Sequence, residues 1–69
     1  MNRISVSSSS VASVGYEVNT MTLEVKFKNG CVYQYFDVPE TVFRELIIAS
    51  SVSSYLNQNI KHNYRYARM

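Results

Sequence analysis

The amino-acid sequence predicts an α+β domain, in which a three-stranded antiparallel β-meander is followed by two short helices packed on one face and an extended C-terminal tail. Three features lead to this fold class. Apolar residues alternate between positions 14 and 27, an Asn-Gly pair suits a tight hairpin, and two apolar stripes of helical spacing follow the only proline, Pro39. A chain of 69 residues has room for one domain.

Composition limits the class of protein. Hydrophobic residues make up 46% and charged residues 17% of the sequence, which is too apolar for a disordered chain and too interrupted for a membrane span. The N-terminus lacks the apolar run of a signal peptide, so we expect a cytoplasmic protein without membrane attachment. One cysteine and one histidine argue against an internal disulfide and a structural zinc site, and no cofactor is implied.

Residues 1–10 are predicted to be a flexible, serine-rich N-terminus, because the four consecutive serines at 7–10 offer no apolar face. Order is expected to begin near Val11. We therefore expect a single domain over residues 11–69.

Three strands are predicted. In the first two every second residue is apolar, and the third is a run of residues with high β propensity. The first strand carries Val14, Tyr16 and Val18. The second carries Leu23, Val25 and Phe27, separated mainly by charged residues. The third covers residues 31–36 and follows Asn29-Gly30, a pair that tolerates the positive φ angles of a tight turn.

The length of the hairpin loop decides which way Tyr33 and Tyr35 point. A two-residue loop pairs Lys28 with Cys31 and leaves both tyrosines on the outer, charged face of the sheet. A three-residue loop, with Gly30 as a bulge residue, places both in the core. One residue of slip exchanges the two faces of a strand, and the sequence leaves both registers open.

Two helices are predicted after the sheet. Pro39 suits the first position of a helix, where its missing N–H has no partner to lose. The apolar stripe of the first helix consists of Val42, Phe43, Leu46 and Ile47. Ser50-Ser51 interrupts this stripe and can cap a shorter second helix. The apolar side of that helix consists of Val52, Tyr55, Leu56 and Ile60. Residues 61–69 show no clear period and form the predicted tail.

Several short motifs follow one another along the chain, each occurring once. They are Val11-Ala12-Ser13-Val14-Gly15-Tyr16, Leu23-Glu24-Val25-Lys26-Phe27, Val32-Tyr33-Gln34-Tyr35, Val38-Pro39 and Tyr64-Arg65-Tyr66. In this order the sequence resembles the KTSC domain, whose hallmark is a central Tyr-x-Tyr. That family is named for its occurrence at the C-terminus of some lysyl-tRNA synthetases and also includes small stand-alone proteins. The likeness runs from about Ser7 to Arg68; at 51–53, Ser-Val-Ser departs from the family, in which a glycine precedes the second helix.

The synthetase association of the family suggests RNA binding. Aromatic rings on a sheet can stack on unpaired bases while nearby cations contact phosphates. We therefore interpret the chain as a non-enzymatic module for RNA or single-stranded nucleic acid. The candidate binding residues are Tyr33, Tyr35, Lys26, Lys28, Lys61, Tyr64, Arg65, Tyr66 and Arg68. In a competing interpretation, Tyr64 and Tyr66 only pin the tail onto the domain.

A catalytic site is not expected, because His62 is the only histidine and the serines lie in no nucleophile motif. The alternative function is a protein-interaction or structural adaptor domain. Its candidate surface is the helical face, which would bind a protein partner or a second copy of the chain. The residues of that surface are Phe43, Leu46, Ile47 and Ile48.

Overall fold

Strands that follow one another along the chain are also neighbours in the sheet. The computed structural model describes residues 2–69, so Met1 of the predicted lead-in lies outside the described residues. The antiparallel sheet has the order β1-β2-β3-β4-β5. Its strands are β1 (Arg3–Ser5), β2 (Val11–Glu17), β3 (Thr22–Phe27), β4 (Val32–Tyr35) and β5 (Tyr66–Arg68). One face carries the helices α1 (Glu40–Ile48) and α2 (Val52–Tyr55), and α2 continues into a π-helical turn (Leu56–Ile60).

The α+β class and the two helices are confirmed, but the prediction of three strands was incomplete. β1 lies in the segment predicted to be flexible, and β5 lies in the predicted tail; each forms one edge of the sheet. Each strand has three residues, all exposed. Neither strand can therefore show the apolar alternation by which a strand is recognised in a sequence. Backbone pairing with β2 and β4 holds them in the sheet.

The core lies between the helices and the inner face of the sheet. Its buried apolar side chains come from β2, β3, β4, the segment before α1, and all three helical elements. They are Val11, Val14, Leu23, Val25, Tyr35, Val38, Leu46, Val52, Leu56 and Ile60. Full burial of such a side chain contributes about 1.5–3 kcal/mol, so this layer supplies the main driving force for folding.

The β3–β4 hairpin has the three-residue loop. Val25 pairs with Tyr33, and the N–H of Phe27 donates to the carbonyl of Cys31 at 2.8 Å. Gly30 has a φ of 93°, in the region that glycine adopts more readily than any residue with a side chain. Gly30 is therefore the residue that allows the chain to close this loop.

This register turns Tyr33 and Tyr35 toward the helices and Gln34 toward the open face of the sheet. On that face the amide of Gln34 donates to the carboxylate of Glu24 at 3.0 Å, and Arg3 forms an ion pair with the same carboxylate at 3.3 Å. The alternative with outward-facing tyrosines, which the sequence left open, is therefore wrong. A buried Gln34 would have required a polar partner in the core, whereas here it finds one on the surface.

The π-helical turn positions the two basic residues that follow it. The N–H of Lys61 donates to the carbonyl of Leu56 at 2.9 Å, which closes a turn one residue wider than that of an α-helix. Leu56 and Ile60 are 1% and 0% exposed and anchor the turn in the core. Lys61 and His62 consequently emerge into solvent beside the end of the sheet.

Two polar contacts fix α2. The hydroxyl of Ser51 accepts a hydrogen bond from the N–H of Ser54 at 3.3 Å, so Ser51 caps α2 at the junction where the resemblance led us to expect a glycine. The hydroxyl of Tyr55 donates to the carboxylate of Glu45 in α1 at 2.6 Å. This hydrogen bond, together with burial, raises the pKa of Tyr55 to about 12. The position of Lys61 and His62 is thus tied to α1.

We expect Gly30→Ala to lower the free energy of unfolding by about 1–2 kcal/mol. A side chain is strained at a φ of 93°, and a Cβ at this position would meet no atom within 4 Å, so the backbone conformation is the only source of the loss. Urea denaturation followed by circular dichroism measures it.

The matched control is a synthetic chain in which D-alanine replaces Gly30. The D residue adds the same methyl group but favours positive φ, so this chain should be at least as stable as the original. Equal losses from both replacements would show that crowding, and not the φ angle, makes glycine necessary here.

Candidate functional site

A cavity of about 290 Å³ opens where the β3–β4 hairpin, β4, β5 and the segment after the π-helical turn meet. We call it the tyrosine cavity. Its lining residues are Phe27, Asn29, Cys31, Tyr33, Tyr35, Lys61, His62 and Tyr66. Rings from the sheet form one wall, and the two basic residues after the helical layer form another. The fold thus joins aromatic and basic groups that lie up to 39 positions apart in the sequence, from 27 to 66.

The pairing of β5 with β4 determines what the sheet contributes. Tyr35 pairs with Tyr66, and Tyr33 pairs with Arg68, so all four side chains leave the same face of the sheet. The ring centroid of Tyr66 lies 5.8 Å from that of Tyr33 and 5.9 Å from that of Tyr35. Phe27 meets Tyr33 edge-on at 5.7 Å. Such contacts hold the rings in place beyond what burial alone does.

Exposure rises from the floor of the cavity to its mouth. Tyr35 is 2% exposed, Tyr33 is half-buried, and Tyr66 is 59% exposed. Burial raises the pKa of Tyr35, and the neighbouring hydroxyls of Tyr33 and Tyr66 raise it further. Tyr35 was a candidate stacking residue, but it forms the floor and has almost no free surface. Tyr66 presents the open ring.

Three of the five acidic side chains form ion pairs within residues 2–69. Within residues 2–69 three cations pair with carboxylates: Arg3 with Glu24, Arg44 with Glu40, and Arg65 with Asp37. The sequence has seven lysines and arginines, so four remain without an acidic partner in the described part of the chain (7 − 3 = 4). They are Lys26, Lys28, Lys61 and Arg68.

Two of these four cations lie at the tyrosine cavity. Lys61 lines it, and Arg68 donates through Nη2 to the sulfur of the lining residue Cys31 at 3.1 Å. No lining residue is acidic. Because these charges are uncompensated locally, the mouth of the cavity attracts anions.

The remaining candidate residues lie elsewhere. Lys26 stands on the open face, since it pairs with Val32 and alternates with Val25. Arg65 bonds to Asp37 at 3.1 Å and lies 5.7 Å above the ring of Phe36, also away from the cavity. Tyr64 packs against the core. The cavity therefore brings together five members of the sequence-based set: Tyr33, Tyr35, Tyr66, Lys61 and Arg68. Lys26, Tyr64 and Arg65 lie apart from them, and Lys28 is not among the lining residues.

Sequence reasoning missed four lining residues: Phe27, Asn29, Cys31 and His62. Cys31 lies two residues before Tyr33, so the correct register would have placed both on one wall. His62 could not be found in this way. Its position depends on the π-helical turn, for which the sequence shows no distinctive pattern.

The helical face offers less for a partner than its sequence suggests. Leu46 is 0% exposed in the core, Phe43 stacks on Tyr16 at 5.2 Å, and Ile47 packs against the core. Ile48 is the member of the candidate adaptor surface that stands free, at 80% exposure. Packing within the domain therefore accounts for most of the apolar stripe.

The tyrosine cavity supplies stacking surface and positive charge. In the part of the chain that the structure describes, no three His, Cys, Asp or Glu side chains come together as a metal site. None of the helices in residues 2–69 has the length and apolar character needed to cross a membrane.

Comparison with known proteins gives a consistent result. The family model for the KTSC domain matches residues 7–64. An uncharacterised protein of Stutzerimonas stutzeri is 40% identical over 70 residues, which cover 100% of this chain and 99% of that protein. The crystal structure of a KTSC domain protein from Yersinia pestis superposes with a TM-score of 0.93 at 32% identity, covering 99% of this chain and 96% of that one.

A segment of a lysine–tRNA ligase is also similar. In the ligase of Trichormus variabilis, 54 residues are 43% identical to this chain. They cover 78% of this chain but 10% of the ligase. The similarity therefore concerns one small part of that enzyme.

We expect Leu46→Ala to lower the free energy of unfolding by about 2–5 kcal/mol, because a fully buried leucine leaves a cavity when it is truncated. Ile48→Ala is the matched control on the same helix and should change stability by less than about 0.5 kcal/mol. Urea denaturation measures both. Equal effects would contradict the placement of Leu46 inside and Ile48 outside.

The raised pKa of Tyr35 predicts a loss of stability in alkali. The phenol ionises at its ordinary pKa of 10.0 in the unfolded chain and at a higher pKa in the folded one, so the folded state holds the proton more tightly. The contribution of Tyr35 is complete below pH 10 and is lost as the pH rises through the folded pKa.

Tyr35→Phe removes the ionising group but keeps the ring. Above pH 10 the unmodified chain should lose stability more steeply than this variant, as measured by urea denaturation across a pH series. Parallel profiles would mean that the hydroxyl of Tyr35 is not in a desolvated site.

Proposed function

We propose that this chain, which belongs to the KTSC domain family, is a non-enzymatic module that binds RNA or other single-stranded nucleic acid at the tyrosine cavity. One observation supports the proposal above others: an exposed ring, Tyr66, lies at the same cavity as cations that have no acidic partner among residues 2–69, and no lining residue is acidic. Stacking on aromatic rings and cation contacts to phosphates are the two interactions by which proteins hold unpaired nucleotides.

The shape of the site favours a single strand over a duplex. A base reaches a cavity wall of rings only when it is unstacked from its neighbours. Reading a duplex commonly requires a helix with a basic face in the major groove. α1 does not offer one, because its arginine, Arg44, pairs with Glu40 and the same helix carries Glu45.

The relatives support this ligand class only indirectly. A similar segment occurs in lysine–tRNA ligases, whose name identifies tRNA as what those enzymes act on. Shared occurrence with an RNA-dependent enzyme is an association and not a mechanism, so the proposal depends on the geometry of the cavity.

The cavity also supports a role without catalysis. His62 and Cys31 both line it, but the sulfur of Cys31 contacts Arg68, and no carboxylate among the lining residues could orient the imidazole of His62 as a general base. Binding without chemistry is therefore part of the proposal. The cytoplasmic location expected from the sequence stays a prediction.

A fluorescent single-stranded RNA, followed by anisotropy at low ionic strength, tests the proposal. We expect binding that weakens as salt rises, with a slope of about −0.7 for each phosphate contacted. Lys61→Ala should weaken binding and flatten the slope. Tyr66→Ala should cost about 1–3 kcal/mol, the contribution of one stacked base.

Lys26→Ala is the matched control for Lys61→Ala, because it removes the same side chain and the same charge from the opposite face of the sheet. It should leave affinity nearly unchanged. Equal losses from the two variants would show attraction by net charge alone, and the absence of salt-sensitive binding would overturn the proposal. A dimer that Ile48→Asp dissociates would favour the adaptor alternative.

A further inference from the structure

We infer that the tyrosine cavity takes one nucleotide unit, with its base against Tyr66 and its phosphate toward Lys61, and does not hold a run of stacked bases. The inference rests on the proposed function and narrows its ligand. A single nucleotide can be free, or it can be one residue splayed out of an RNA chain, and both present the same chemistry to the cavity.

The size of the cavity limits the ligand to one unit. Its volume of about 290 Å³ lies just below the range of about 300–1,000 Å³ for pockets that enclose small ligands. Of its lining rings, Tyr66 is well exposed at 59%, whereas Phe27 and Tyr33 are half-buried and Tyr35 is sealed. One open ring provides a stacking surface for one base.

The two walls of the cavity match the two ends of a nucleotide. The sheet wall carries the rings, and the wall after the π-helical turn carries the ammonium group of Lys61 and the imidazole of His62. A nucleotide has a flat, uncharged base at one end and an anionic phosphate at the other. An inorganic anion would leave the rings uncovered, and a nucleoside would leave the cations unused.

The surroundings give no continuous path for a longer stretch of bound bases. Lys26, which has no acidic partner among residues 2–69, stands on the opposite face of the sheet, and Arg65 there is already bonded to Asp37. Single-strand binding folds that hold about 4–16 nucleotides use a groove with successive stacking platforms. Arg68, bonded to the lining residue Cys31, is the cation that we expect to contact a phosphate flanking one inserted nucleotide.

Cys31 provides a readout at the site itself. It is the only cysteine in the sequence, it lines the cavity, and it is half-buried. Its rate of alkylation by iodoacetamide therefore reports whether the cavity is occupied. This reagent is uncharged and does not itself compete for the cations at the mouth.

The probes are adenosine 5′-monophosphate, adenosine, inorganic phosphate and a short oligoadenylate. We expect the monophosphate to slow alkylation of Cys31 with a saturable dependence on its concentration. Adenosine and phosphate should each need concentrations about tenfold higher or more, because each lacks one of the two interactions. Protection by the oligoadenylate at lower concentrations than the monophosphate would identify a nucleotide within a chain as the preferred source.

Substitutions on each wall of the cavity test the contributions of the two walls separately. In Lys61→Ala the monophosphate should protect Cys31 only at the concentrations that adenosine requires. In Lys26→Ala the monophosphate should still protect at lower concentrations than adenosine. Tyr66→Phe should retain protection, and Tyr66→Ala should lose it. Each variant is compared with its own rate without ligand, and chemical-shift mapping with the monophosphate provides a second measurement that does not depend on the thiol.

The possible results distinguish the inference from the proposed function. Salt-sensitive RNA binding without protection of Cys31 by either adenylate probe would overturn the one-nucleotide site and leave the proposed function standing. Protection by the monophosphate without RNA binding would support the site and overturn the proposed function. Equal protection by adenosine and the monophosphate, or loss of the preference with Lys26→Ala, would overturn the inference.

Discussion

The positive φ angle of Gly30 fixes the register of β4, and through it the positions of the side chains that β4 and β5 contribute to the tyrosine cavity. A loop one residue shorter would turn Tyr33 and Tyr35 to the open face and bury Gln34. β5 pairs with β4, so the orientation of Tyr66 also follows from this one turn. A local backbone constraint thus determines whether the domain has an aromatic cavity at all.

The two faces of the sheet differ in how their charged side chains are paired. On the open face, or at its margin, Glu24 and Asp37 are each bonded to an arginine, and Lys26 has no acidic partner in the described part of the chain. On the helical face the cations around the tyrosine cavity have no such partners among residues 2–69. A formal net charge of +2 therefore understates the positive potential at the cavity mouth.

The sequence reveals those elements that bury a face. β2, β3 and α1 could be predicted because apolar residues recur with the period of a strand or a helix, and β4 because a β-rich run follows Asn29-Gly30. The exposed edge strands β1 and β5 show neither signal. Asn29-Gly30 fits two loop lengths, so the direction of Tyr33 could not be predicted. The position of Arg65 apart from the cavity residues could not be predicted for another reason: its partner Asp37 lies 28 positions away, and the sequence does not show which charged residues pair at that separation.

β5 joins the sheet along one side only, yet it supplies both the open ring and one of the rim cations of the tyrosine cavity. When so short an edge strand frays, Tyr66 and Arg68 leave together, and the proposed binding surface is lost as a unit. For the proposed ligand, the expected affinity in solution is the intrinsic affinity multiplied by the fraction of molecules in which the strand is docked. Any change that stabilises or loosens β5 would then alter that affinity without contacting the ligand.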